Sequence, residues 1–317
     1  MTDPLPRLTA ARAPQTHGVR VLDEHGQQRS ISIPAERALT VFVDKRELVT
    51  LMTLGAAPEW LVLGYLRNQR LVDSLADIDS VTVDWEVGAA AVKTRRGIDD
   101  FERKTAHRVV TTGCGQGTVF GGLMDELESL SLPAPSEARI SQHGLYALLD
   151  AMRQQDSTYK SAGSVHGCAL FTLSSPVAGV LPRAGAAGAR QGAGFGEPAA
   201  PATGDARLEL FVEDVGRHNA IDTIAGWMWL QGMGGADKAF YTTGRLTSEM
   251  VIKSAQMGVP IVVSRSGITQ MGHELATRLG LALFGRATNK HFFCYSGFER
   301  FDSDPALAAP PVVAPGP

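Results

Sequence analysis

From residue 208 onward the sequence alternates short apolar runs with amphipathic stretches across glycine-marked loops, and no other feature limits the possible folds as tightly. The apolar runs predict strands over 208–212, 238–242, 261–264, 281–284 and 291–295. Between them, apolar spacing predicts helices over 218–230, 247–257 and 269–279, bounded by Gly232, by Gly258 with Pro260, and by Gly280. Alternation of this kind over short loops predicts a layered α/β domain with helices covering a central sheet. An amphipathic helix over 140–152 and a strand over 165–173 precede it, so the domain is expected over 136–303.

The region before it reads differently. Strands over 38–43 and 48–52 flank a turn at Lys45-Arg46-Glu47, and PEWLVLGYLRNQRLV supplies a helix from Pro58. Strands follow over 81–87, 89–94 and 108–112, which makes 33–135 a smaller α+β domain. Its last strand runs into Gly113-Cys114-Gly115-Gln116-Gly117, and the Pro-bearing stretch SLPAPSEAR then acts as a hinge. The polar, Pro-containing residues 1–32 are expected as a flexible arm. The Ala-, Gly- and Pro-rich stretch 183–207 is expected as a disordered insertion, and 304–317 as a disordered tail, because neither buries enough apolar surface to offset its ordering entropy.

Charge narrows the function classes. With 30 Lys and Arg against 33 Asp and Glu, the net charge of −3 gives no footprint for nucleic acid. It gives none for an anionic membrane either. No run approaches the ~20 apolar residues of a spanning helix. The N-terminal sequence lacks a secretory pattern, so a cytoplasmic location is expected.

Three cysteines form no C-x-x-C pair, and no metal site is expected from them. Cys168 and Cys294 sit in the apolar runs GCALF and FFCYS and read as small hydrophobes. Cys114 is flanked by glycines at a strand end, an arrangement that leaves its sulfur approachable. A free thiol with a pKa near ~8.5 needs only a nearby cation or helix N-terminus to become a nucleophilic thiolate. The plainer alternative is a buried turn cysteine.

Three polar loops follow strands, where α/β sheets bind ligands. The first, EDVGRHNAID over 213–222, crowds Arg217 and His218 among three carboxylates and an asparagine. Capping by Asp214 or Asn219 accounts for part of that set. The second, over 242–249, places Arg245 at a helix start suited to an anion, with a capping box of Thr247 or Ser248 and Glu249 as the alternative. The third, Arg286, Ala287, Thr288, Asn289, Lys290 and His291, concentrates cations at one turn and suits a phosphate or an anionic cofactor. A solvated hairpin turn would explain it equally. His166 reads more readily as a satisfied core residue than as a ligand.

Taken together, EDVGRHNAID, TGRLTSEMVIKSAQMGVPIVVSRSG, SAGSVHGCAL, GYLRNQRLV and TTGCGQG resemble segments of the formate dehydrogenase accessory sulfurtransferase family (FdhD), over about 43–298. The resemblance implies a cytidine deaminase-like fold for the larger domain and a homodimer. It also implies that Cys114 accepts sulfane sulfur from a cysteine desulfurase as a persulfide. The sulfur then passes to the molybdenum bis(molybdopterin guanine dinucleotide) cofactor needed by formate dehydrogenase. By position, 286–291 falls where the family contacts the guanine nucleotide portion. The family's usual C-x-x-C is here Cys114-Gly115-Gln116-Gly117, so one thiol can carry a persulfide but the motif cannot close a disulfide.

Two other classes compete with this one. A zinc deaminase needs a glutamate two residues after its first ligand and a later P-C-x-x-C. Here His166-Gly167-Cys168 puts cysteine in the glutamate's place, and no P-C-x-x-C exists. A cofactor-binding chaperone without sulfur chemistry would use the same anion loops and differ only in not needing Cys114.

Overall fold

The computed structural model describes residues 5–98, 130–173 and 206–307. The strand expected over 108–112, the Cys114 loop, most of the expected insertion and the end of the tail lie outside these described residues.

The N-terminal part runs β1 (Arg7–Leu8), β2 (Thr16–Leu22), β3 (Gln28–Pro34), β4 (Arg37–Val43), β5 (Arg46–Thr53), α1 (Pro58–Asn68), β6 (Ile78–Asp84) and β7 (Ala89–Thr94). Five strands form one sheet in the order β1-β6-β7-β4-β5. Period-two alternation sends Leu39, Val41 and Val43 of β4 into a core that α1 completes with Leu61, Val62, Leu63 and Leu66.

The expected flexible arm is corrected here. β1 pairs in parallel with β6, and β2 and β3 form an antiparallel hairpin over 16–34. Thr9 Oγ1 and Ala11 N both donate to Glu59 Oε1, at 2.6 and 2.7 Å. Polar composition says little about such order, because backbone pairing and one buried acceptor supply it.

The second part runs β8 (Ile140–Ser141), α2 (Gln142–Gln154), α3 (Thr158–Ala162), β9 (His166–Leu173), β10 (Ala206–Asp214), α4 (Arg217–Leu230), β11 (Lys238–Thr242), α5 (Ser248–Gln256), β12 (Ile261–Ser264), α6 (Gln270–Leu279), β13 (Ala282–Thr288), β14 (His291–Ser296) and β15 (Phe301–Asp302). The tail then makes a single 3₁₀ turn at Pro305–Leu307. Six strands form a sheet in the order β10-β9-β11-β12-β13-β14, with β11, β12 and β13 parallel and the other neighbours antiparallel.

Alternation divides this sheet between two cores. Cys168, Leu170, Phe240, Val262 and Leu283 join the core that α4, α5 and α6 cover. Ala169, Phe171, Tyr241, Val263 and Phe284 join the one that α2 covers. Burial of both faces explains why these strands read as continuous apolar runs. The molecule is therefore a mixed α/β protein with helices on both sides of its larger sheet.

The two parts meet where α1 crosses α4. A Cβ on Gly64 would lie 1.7 Å from the Asp222 carbonyl oxygen, and one on Gly226 would lie 2.0 Å from that of Trp60. The helix backbones touch at these glycines. Pressed between the sheet and α1, α4 has no exposed residue, which fits the lack of a separate polar face in its sequence. In the same seam, Asp222 accepts from Asn68 Nδ2 at 2.7 Å and pairs with Lys253 Nζ at 2.8 Å, so its buried charge is compensated.

Candidate functional site

The carboxyl ends of β11, β12 and β13 lie along one edge of the sheet. The antiparallel pairing of β9 and β10 brings the start of β9 and the end of β10 to the same edge: Asp214 is opposite His166, and Thr242 opposite Cys168. All three polar loops of the sequence therefore converge there. Thr243 N donates to Gly167 O at 2.9 Å, and Gly167 N to Thr243 Oγ1 at 3.1 Å. Arg265 N donates to Thr242 O at 3.0 Å, and Arg286 N to Ser266 O at 2.7 Å. These bonds lash the loops into one rigid rim.

EDVGRHNAID divides into structural and exposed-edge roles. Buried Asp214 accepts from Thr53 Oγ1 and Leu54 N of the N-terminal part, from Gly216 N at 3.2 Å and from Asn219 Nδ2 at 2.9 Å. Burial pushes its pKa up to about 6, against the pull of those four donors. Asn219 Nδ2 also reaches Met52 O at 2.6 Å. Asp214, Asn219 and Asp222 thus knit the two parts together.

Arg217 and His218 are buried at the start of α4. Arg217 lies across Gly244, where an added Cβ would meet its Cδ at 2.8 Å. His218 Nε2 is 3.3 Å from Glu249 Oε2. That carboxylate would favour an imidazolium, but burial and the charges of Lys253 and Arg217 oppose it more strongly and bring the pKa down to about 2. A neutral ring donating Nε2–H to Glu249 leaves Nδ1 as a bare, buried acceptor with no partner. Burial, then Arg217 and Arg245, lower the pKa of half-buried His166. Arg245 itself is exposed on the rim. The capping box considered for this second loop does not form through Thr247, whose Oγ1 is buried without a partner.

Beside this cluster, on the α2 side of the sheet, lies a cleft of about 370 Å³. Phe211, Tyr241 and Tyr159 give it aromatic walls, and Arg153, Lys160 and Arg265 bring positive charge. Ala287, Thr288 and Asn289 close its far side. Its size suits one nucleotide-sized portion of a ligand. Aromatic faces accept a base, and guanidinium and ammonium groups accept phosphate.

A family model described as the FdhD/NarQ family matches residues 34–180 and 190–302. The chain belongs to the FdhD/NarQ family. It is similar to the sulfur carrier protein FdhD of Listeria innocua serovar 6a, 27% identical over 275 residues that cover 86% of this chain and 93% of that protein. The protein of the same name from Bacillus subtilis strain 168 is 28% identical over 265 residues, covering 84% and 88%. A crystal structure of a formate dehydrogenase accessory protein from Desulfotalea psychrophila shares the fold, with a TM-score of 0.62 at 22% identity over 90% of this chain and 98% of that one.

Against the sites expected for an FdhD/NarQ chain, the geometry is selective. Cys114 lies outside the described residues. The expected loop over 286–291 is corrected: β13 continues through Thr288, β14 begins at His291, and only Asn289-Lys290 form the turn. Antiparallel pairing that resumes at Thr288 and His291, past a register shift, carries the strand beyond its apolar residues. Ala287, Thr288 and Asn289 line the cleft; Arg286, Lys290 and His291 are exposed and are not among its lining residues, and the His291 ring packs edge-on against Phe293.

The cleft's own cations are not marked as a group in the sequence. Arg265 carries the same signal as the other loops, a polar residue directly after an apolar strand. Arg153 and Lys160 look like any polar helix face and give no signal.

Burial pushes the Cys168 thiol up to about 12 and that of half-buried Cys294 up to about 11. Four strand spacings, roughly 19 Å, separate their strands, so they cannot pair with each other. Among the described residues no group of three or more His, Cys, Asp or Glu could hold a metal ion. No described helix is long and apolar enough to cross a membrane.

Proposed function

We propose that this protein is a cytoplasmic sulfur carrier serving formate dehydrogenase, with the sulfur held on Cys114 and its recipient, the guanine dinucleotide form of the molybdenum cofactor, docked at the cleft. The observation that carries the reading is the set of three cations, Arg153, Lys160 and Arg265, facing aromatic walls at the sheet edge of an FdhD/NarQ chain. The names of the Listeria and Bacillus relatives support the carrier role. The cleft takes one nucleotide end of the cofactor as cargo, leaving the molybdenum end outside it.

Loading is a persulfide exchange. The Cys114 thiolate attacks the terminal sulfur of a cysteine desulfurase persulfide, a new S–S bond forms, and the desulfurase thiolate leaves. At delivery the carrier's S–S bond breaks and Cys114 returns to thiolate. The sulfane sulfur becomes a sulfide ligand by taking two electrons from reduced molybdenum. One thiol suffices for both steps, so Gly117 in the second position of the motif is compatible with them.

The reading extends to a homodimer and to a cytidine deaminase-like larger domain. Supporting the latter is the strand order β10-β9-β11-β12-β13, in which β9 runs antiparallel to both its neighbours and β11, β12 and β13 run parallel.

Intact-protein mass spectrometry after incubation with a cysteine desulfurase and L-cysteine tests the carrier. The wild type is expected to gain sulfur and Cys114→Ala to gain none. An unmodified wild type beside an active desulfurase would leave only cofactor binding.

A further inference from the structure

The roof of the cleft is a short element in which one side chain, that of Glu213, holds two backbone N–H groups. α3 is five residues long, too short to be stable alone, and it carries Tyr159 and Lys160 over the cleft. Its first-turn N–H groups have no partners within the helix. Glu213, at the end of β10, accepts two of them, from Thr158 N and, at 3.1 Å, from Tyr159 N. Ser157 Oγ accepts the third, from Lys160 N at 3.2 Å. Lys160 Nζ then donates to Arg153 O at 3.0 Å, which ties the roof back to α2.

We propose that Glu213 is a positioning residue of the cleft, fastening α3 so that Tyr159 and Lys160 meet an anionic nucleotide. This rests on the reading of the cleft given above. Glu213 is the one acidic residue among the cleft's lining residues. Were its charge what mattered, removing it would strengthen binding of an anion. If its grip on α3 matters, removing it weakens binding. The two accounts predict opposite signs.

GDP binding to the full-length protein, measured by calorimetry, decides between them. Glu213→Ala is expected to weaken GDP affinity about tenfold, the scale of hydrogen bonds to a charged group. Glu213→Gln keeps one of the two acceptor oxygens that α3 uses and is expected to recover only part of that loss. Thr158→Pro removes one donor from the other side, at a first-turn position that tolerates proline. Because both substitutions act through one contact, the double variant Glu213→Ala/Thr158→Pro is expected to lose much less than the product of the two single losses.

Hydrogen exchange at residues 158–162 is expected to slow when GDP binds the wild type and to stay fast in Glu213→Ala. Wild-type affinity in a folded Glu213→Ala protein, or tighter binding, would overturn the proposal. If Glu213→Ala fails to fold, Thr158→Pro alone decides, and unchanged GDP affinity there overturns it. No GDP binding by the wild type would instead sink the reading of the cleft itself, and this proposal with it.

Discussion

Glu213 and Asp214 are consecutive on β10 and hold opposite parts of the molecule: Glu213 grips the roof of the cleft, while Asp214 grips Thr53 and Leu54 of the N-terminal part. Strand alternation makes this possible, because neighbouring side chains leave opposite faces. The end of β10 is therefore a joint between the cleft and the part of the chain that leads to Cys114.

The Asp214 half of that joint should dominate stability. Asp214→Ala strands donors from Thr53, Leu54 and Gly216 without an acceptor, and each unsatisfied buried donor costs about 1–3 kcal/mol. A loss of about 3 kcal/mol is expected in urea unfolding at pH 7.5, above the range where the carboxyl takes up a proton. A change within about 0.5 kcal/mol would mean that the two parts are not joined through this residue.

His218 supplies a pH dependence whose sign is fixed. Its folded pKa is depressed below the unfolded value, so the folded chain keeps the ring neutral while the unfolded chain takes up a proton as pH falls below about 6.5. Its contribution is fully present above that value and is lost progressively as pH falls toward the folded pKa. Between pH 7 and 5 this one residue should cost about 2 kcal/mol at 1.4 kcal/mol per unit. The groups around it, Glu249, Lys253, Arg217 and His166, stay in place in His218→Asn. Unfolding free energies at the two pH values should differ by about 2 kcal/mol less in that variant than in the wild type. An unchanged difference would show that His218 is charged in the fold.

How much of this could be read from residues alone depends on what carried the information. The larger domain was legible because both faces of its sheet are buried, leaving apolar runs and glycine-stopped helices. The arm was not, because the pairing of β1 with β6 is between backbones and leaves no mark on composition. EDVGRHNAID stood out as a polar cluster, yet sequence alone could not divide Asp214, Asn219 and Asp222, which join the two parts, from Glu213, which faces the cleft. The run over 286–291 is divided for a related reason. Its cations share a stretch of sequence, but Arg286, Lys290 and His291 are not among the cleft's lining residues, whereas Ala287, Thr288 and Asn289 are. Arg153, Lys160 and Arg265 come from three separate elements, and only the fold assembles them.

Those two sets of cations make competing predictions for nucleotide binding. Arg265 lines the cleft, directly after β12, and its guanidinium can grip a phosphate through two parallel hydrogen bonds. Arg286 and Lys290 are exposed, as Arg265 is, but unlike it they are not among the lining residues. Arg265→Ala is therefore expected to weaken GDP binding about tenfold or more, corresponding to about 1.4 kcal/mol. The double variant Arg286→Ala/Lys290→Ala should weaken it by about twofold at most at physiological salt, with the difference growing only as salt is lowered. The opposite ranking, a large loss in the double variant beside a small one in Arg265→Ala, would move the nucleotide from the cleft to the β13–β14 turn.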